Sequence, residues 1–203
     1  LITSNAERLE RFVNQLLDVR KIQQNKFELE VSVFDIVGWL ENEVIKVFDQ
    51  PALERNITVR LLSDLPSLVI KADKQKLEVV INNLLSNAIK YTRENSFVDL
   101  QIKSSVASSD LVLIIEDAGP GVPEESLNKI FDLFYTVPSR KPTSGGSSGI
   151  GLALVRELVE LHQGSITASN KDQGGLQIII TLPEALTQQR DYNSTGPTSR
   201  VLP

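Results

Sequence analysis

Apolar residues recur along the first positions of the chain at spacings of four and three: Ile2, Ala6, Leu9, Val13 and Leu16, with Phe12 and Val19 alongside. That period predicts a helix over 1–22. Arg8, Glu10, Arg11, Asp18 and Arg20 form its polar complement. So wide a stripe suits a helical bundle better than a two-stranded coil. A single short helix is marginal alone, so this one needs a partner, either its own domain or another helix. Phe27, Leu29, Val31 and Val33 then alternate as a short strand after a turn at Asn25-Lys26. Asp35 is placed to cap a helix running to about Glu54, with Ile36, Leu40, Val44, Val47 and Phe48 inward and Pro51 disturbing it.

Residues 57–61 and 68–70 read as strands divided by a turn at 64–66. Asp73 caps a helix to about Tyr91, whose core stripe is Leu77, Val80, Ile81, Leu84, Leu85, Ala88 and Ile89. Strands follow at 97–104 and 110–116, and Pro123-Glu124-Glu125 opens a short helix. Residues 135–149, rich in Gly, Ser and Pro, read as a mobile loop. A helix over 149–162 stops at Gly164, and strands at 165–169 and 176–182 close the domain. Residues 184–203 read as a polar linker. The mixture predicts an α+β domain with helices layered on one face of a sheet.

Composition narrows the picture. The 203 residues suffice for one good-sized core plus a smaller appendage. A net charge of −5 does not favour a nucleic-acid surface. No apolar run approaches the ~18 residues of a membrane span, and no signal-peptide pattern opens the chain. With no cysteine there is neither a disulfide nor a thiolate metal site, which is compatible with a reducing compartment. The chain begins at Leu1 and contains no methionine, so it is expected to be a piece of a longer protein.

Four short patterns carry candidate chemistry. Asn83, Asn87 and Lys90 share one flank of the Asp73 helix, apart from its core stripe. Amide oxygens suit a Mg²⁺ ion that keeps most of its waters and bridges to phosphates, and a lysine adds a phosphate contact. The alternative is a solvated polar face. Asp117 follows a strand and precedes Gly119-Pro120-Gly121. A carboxylate there can accept from an exocyclic amine while glycines let backbone approach a flat ring; an ordinary Asp-Gly turn is the alternative. Phe131 and Phe134, three apart, are either core or an anchor for the adjoining loop. Gly145-Gly146-Ser147-Ser148-Gly149-Ile150-Gly151-Leu152 enters a helix, whose N-terminal amides favour phosphate. It is no P-loop, because no Lys-Ser/Thr pair follows, and it lacks the third glycine of a dinucleotide fingerprint.

In order and spacing these patterns resemble the catalytic ATP-binding domain of sensor histidine kinases, relatives of gyrase B, MutL and the heat-shock chaperone ATPases. The resemblance is strong over about 68–183. It implies a two-layer α/β sandwich of the Bergerat type over 25–184, preceded at 1–24 by one helix of a dimeric bundle and followed at 185–203 by a linker or tail. It implies ATP and Mg²⁺ as ligands, with Asn87 on the metal and Asn83 near the phosphates. Lys90 would meet phosphate, and Tyr91 the ribose or base side. Asp117 would take the adenine amine, with Gly119, Gly121 and Val122 lining the base pocket. Phe131 and Phe134 match the family's aromatic box. Gly149 and Gly151 would form the hinge of the ATP lid, with Ile150 and Leu152 beside them among the nucleotide-binding positions and Arg140 and Lys141 as phosphate contacts from the loop.

The same resemblance implies a homodimer through helix 1–22, a response regulator or fused receiver domain as partner, and a cytoplasmic location, possible also as the cytoplasmic part of a membrane-anchored sensor. Neither nucleic acid nor membrane contact by this segment is implied. Hydrolytic relatives carry glutamate where Asn83 stands, and an amide is no useful base. That favours phosphoryl transfer to a protein acceptor over an ATPase clamp. Two departures stand out. The phosphoacceptor histidine with its following acid is missing, and His162 lies at the end of the last helix, where a structural role is expected. Leu176 and Gln177 follow the glycine pair where Ser or Thr is usual, which keeps open a nucleotide-sensing scaffold without catalysis.

Overall fold

The computed structural model describes residues 2–24, 28–104, 109–138, 148–183, 185 and 198–201, with side chains left aside at 2–9, 11–12 and 198–201. Helix α4 (Lys74–Tyr91) organises it. Asp73 starts the helix: its backbone is extended and its carboxylate accepts from Lys76 N. Every residue of the expected stripe, from Leu77 to Ile89, is buried. Helix α5 (Gly151–Leu161) lies beside α4 and buries Ala153, Leu154, Val155, Leu158 and Val159.

Both helices cover one face of a six-stranded sheet in the order β6-β7-β5-β4-β2-β8. Its members are β2 (Ile57–Ser63), β4 (Ser96–Ser104), β5 (Leu111–Glu116), β6 (Ser165–Asn170), β7 (Leu176–Leu182) and β8 (Thr198–Val201). Strands β2 and β4 are parallel and every other pair is antiparallel. Register sets the core. Leu61, Leu100, Ile115, Ile178 and Ala168 stand in one row across five strands. A one-residue slip of any strand would turn its apolar set to the outer face. The result is the expected two-layer α+β sandwich with one helix before it.

The small ribbon of β1 (Ser32–Asp35) and β3 (Val69–Ala72) stands apart from this sheet. The strand predicted from Phe27 begins only at Ser32, and Phe27 lies outside the described residues. The reason is the length of its partner: β3 ends at Ala72 because Asp73 turns to cap α4, and Glu30 N is already tied to the Asp73 carboxylate at 2.9 Å. The helical run from Asp35 also differs in phase. After α2 (Ile36–Trp39) it passes through a π-helical turn (Leu40–Val44) and a 3₁₀ turn (Ile45–Phe48) before α3 (Asp49–Leu53). The widened turn carries Val44, Ile45 and Phe48 inward and leaves Val47 64% exposed, against its expected inward place. Pro51 lies in α3's first turn, where no N–H is needed.

Helix α1 (Ile2–Gln23) forms as the period predicts. Its last turns pack on the domain itself: Val19 and Ile22 join the core, and Gln23 Nε2 donates to Glu157 at 2.8 Å. Val13 and Leu17 remain 45% exposed. Thr198–Val201, read from sequence as part of a linker, instead pairs with β2 from Arg60 to Ser63. Pro197 and Pro203 bracket this short β-prone stretch in the sequence. Among the described residues no helix is long and apolar enough to cross a membrane.

On the outer face, Asp99 is buried and receives both Arg60 Nε (2.6 Å) and Nη2 (2.7 Å), while the guanidinium lies 3.7 Å from the centre of the Phe97 ring. Arg60→Met strands that carboxylate and is expected to cost about 2 kcal/mol in urea unfolding. Nearby, burial pushes the Glu116 carboxyl up, but hydrogen bonds from Lys171 and Gln177 and the charges of Lys171 and Lys103 outweigh it, leaving it below its ordinary value of 4.5. A depressed folded value means stability present above the unfolded carboxyl's pKa and lost as pH falls through the folded one. Glu116→Gln is therefore expected to flatten the stability–pH curve below about pH 4.5, measured by urea melts at stepped pH.

Candidate functional site

Three segments meet above α4. The first is the C-terminal half of α4 itself. Its stripe faces the sheet, so Asn83, Asn87 and Lys90 fall on a half-buried flank. Asn83 folds back, Nδ2 donating to Val79 O at 2.8 Å. Its Oδ1 lies 2.7 Å from where a Cβ on Gly151 would stand, so α5 begins directly against it. Lys90 Nζ is 5.4 Å from the centre of the Tyr91 ring.

The second segment is the turn after β5. Asp117 is 8% exposed, and its Oδ1 accepts from Gly119 N at 2.7 Å and Leu176 N at 3.1 Å. The carboxylate is thereby oriented by main chain from two segments. Gly175 makes this possible: at φ +105° its would-be Cβ lies 2.1 Å from Asp117 O, where only hydrogen fits. Asn170 holds the far end of the turn, after Gly121, like a neighbouring strand would. Its Oδ1 accepts from Val122 N at 2.8 Å, and its Nδ2 donates to Val122 O at 2.6 Å and Glu124 Oε1 at 3.0 Å. Thr92 Oγ1 accepts from Ala118 N at 3.4 Å and so joins the first segment to the second. Spacing in the sequence marks neither Asn170 nor Thr92, whose roles come from contacts between distant segments.

The third segment is the two ends of the loop. Phe134 N donates to Gly149 O at 2.9 Å. Gly149 adopts φ +70° with its would-be Cβ 2.6 Å from Phe134 C, so the ends abut through main chain. Arg140 and Lys141 lie outside the described residues. Three expectations change here. The stretch holding Phe131 and Phe134 is a 3₁₀ turn (Glu124–Ser126) followed by irregular turns, not a helix. Its aromatics accordingly part: Phe131 is buried with Val122 and Ile130, whereas Phe134 at φ 65° is 55% exposed. Ile150 is fully buried in the main core, so its side chain cannot line a ligand site; Leu152 is half-buried between the two apolar clusters.

His162 ends α5. Its Nε2 accepts from Asp73 N at 3.3 Å and its Nδ1 faces Leu158 O at 2.7 Å, so both ring nitrogens serve the fold. The described residues contain no group of three His, Cys, Asp or Glu able to hold a metal. The donors at hand are the neutral amides of Asn83 and Asn87. Such a set fits Mg²⁺ arriving with phosphate oxygens rather than an ion held by protein alone.

A profile of the histidine kinase-, DNA gyrase B- and HSP90-like ATPases matches residues 72–186. The chain belongs to that family. Sensor histidine kinases are among its relatives, and this is a histidine kinase catalytic ATP-binding domain. Sensor histidine kinase WalK of Bacillus subtilis is 30% identical over 196 residues, covering 95% of this chain and 31% of WalK. The chain thus spans about a third of that relative's length. Full-length ShkA, solved in complex with AMPPNP, shares the fold with a TM-score of 0.79 at 24% identity, over 91% of this chain and 37% of that one. Histidine kinase ThkA, solved in complex with response regulator protein TrrA, gives a TM-score of 0.68 at 27% identity, over 91% and 49%.

Gly175→Ala tests how this ATP-binding domain builds its Asp117 turn. The added methyl is expected to cost more than about 2 kcal/mol in urea unfolding, because backbone must move on both sides of the clash.

Proposed function

We propose that this chain is the catalytic portion of a sensor histidine kinase, which binds Mg-ATP and passes the γ-phosphoryl to a histidine outside these residues. The observation that carries the reading is the convergence of the oriented Asp117 carboxylate, the Asn83–Asn87–Lys90 flank and the start of α5 on one place. Asp117 accepts from the exocyclic amine of adenine, with Gly119, Gly121 and Val122 around the base and Tyr91 toward the ribose. Asn87 is the metal ligand, Asn83 lies near the phosphates, and Lys90, Arg140 and Lys141 supply positive charge. Gly149 and Gly151 form the lid's hinge, with Leu152 beside them at the nucleotide.

Magnesium, when bound, neutralises charge on the phosphate oxygens. What these residues do is position the nucleotide and exclude alternatives. Phosphoryl transfer needs little more from the protein. An imidazole nitrogen of the acceptor forms the new bond to the γ-phosphorus as the bond to the bridging oxygen breaks and ADP leaves. Neutral imidazole is already nucleophilic near pH 7, so Asn83 in place of a carboxylate base is no handicap.

Residues 1–24 belong, on this reading, to a dimerisation bundle and 25–184 to the catalytic domain. Exposed Val13 and Leu17 on α1 support a homodimer through that helix. ThkA's complex with a response regulator supports the same partner class here, and the sensor kinases among the relatives support a cytoplasmic site of action within a larger protein. A second reading, a nucleotide-sensing scaffold, is favoured by one observation: Leu176 offers packing against Val122 and Phe131 but no hydroxyl.

Calorimetric titration with AMPPNP separates these. Magnesium-dependent binding is expected, abolished by Asp117→Asn and made insensitive to Mg²⁺ by Asn87→Ala. With the upstream acceptor helix restored, ATP is expected to leave acid-labile phosphate on the protein. Binding without such phosphate would favour the scaffold, and absence of binding at millimolar nucleotide would refute both.

A further inference from the structure

Arg55 lies where α3 gives way to β2. Asn56 takes a left-handed conformation (φ 52°) and turns the chain, leaving Arg55 half-buried beneath the end of α4. Its guanidinium donates to three main-chain carbonyls: Nη1 to Ile89 O and, at 2.9 Å, to Lys90 O; Nη2 to Thr92 O at 2.9 Å. Helix C-termini leave carbonyls unpaired and carry partial negative charge, so a cation there is favourable. A planar fork reaches several acceptors at once where an ammonium is a point charge.

Capping is only half of what this contact does. The carbonyls belong to the segment that holds the Asp117 turn. Tyr91 O lies 2.6 Å from where a Cβ on Gly119 would stand, and Thr92 Oγ1 accepts from Ala118 N. Asn87 and Lys90 ride on the same last turns of α4. One side chain therefore bonds the segment that both carries the amide-and-lysine flank and touches the Asp117 turn.

We propose that Arg55 is a positioning residue of the Mg-nucleotide site, setting the end of α4 against the Asp117 turn without itself touching nucleotide. This rests on the kinase reading above. The residue acts through Ile89, Lys90 and Thr92, and an offset of this kind alters binding rather than the acid–base chemistry of any group.

The test compares the chain with Arg55→Met and Arg55→Lys at a temperature where melting curves show all three folded. Affinity for Mg-AMPPNP is expected to fall on the order of ten-fold in Arg55→Met and to return in part in Arg55→Lys. Hydrogen exchange is expected to quicken at the Ala118 and Gly119 amides, with the amides pairing β5 to β7 unchanged. A lowered melting temperature with wild-type affinity and wild-type exchange at Ala118 and Gly119 would overturn the proposal, since capping alone predicts that pattern. If the unaltered chain binds no nucleotide, the kinase reading fails and exchange at Ala118 and Gly119 alone decides whether Arg55 sets the turn. Should Arg55→Met not fold, Arg55→Lys carries both readouts: intermediate loss supports the proposal, and none overturns it.

Discussion

A single buried carboxylate, Asp73, is where the architecture is tied together. One oxygen caps α4 through Lys76 N, and the other accepts from Glu30 N in the segment that leads out of α1. Its own N–H points at His162, which closes α5. Burial makes each of these bonds costly to lose, because an abandoned acceptor would have no water to turn to. Entry segment, amide-bearing helix and loop-following helix thus share one fixed point. The candidate site sits at the other end of the same two helices, so its geometry inherits whatever orientation that node imposes.

Much of this was legible because period and burial agree. The α4 stripe from Leu77 to Ile89 follows from its helical period, and the strands that carry Leu61, Leu100, Ile115 and Ile178 stood out in the sequence, although the row these four form is known only from the pairing. Legibility failed where the backbone left a regular period. Val47 is exposed because a π-helical turn inserts before it, and no propensity scale registers a change of phase. The start of β1 depended on where β3 stops, a tertiary fact. Phe131 and Phe134 differ in fate because the chain between them never becomes a helix.

The site divides the same way. Asn83, Asn87, Lys90 and Asp117 stood out because residue type and helical or turn spacing bring them to one side. Ile150 was read with its glycine neighbours and proved to be core. Thr92, Asn170 and Arg55 escaped notice because each works through main-chain atoms of a remote segment, 26, 48 and 34 to 37 positions away. Side chains that hold backbone leave little trace in a local pattern. They nonetheless decide how closely the chemistry-bearing groups approach one another.

Strand β8 has a consequence for how such a domain behaves among its own copies. Sheet edges carry rows of unspent amide donors and acceptors, and a long regular edge recruits strands from other molecules. Here the run from Arg60 to Ser63 is occupied by Thr198–Val201 of the same polypeptide. Strand β8 therefore shields this part of β2 from pairing with strands of other molecules and presents a four-residue edge in its place. Without that strand, the main-chain donors and acceptors of Arg60–Ser63 would themselves form the open edge of the sheet.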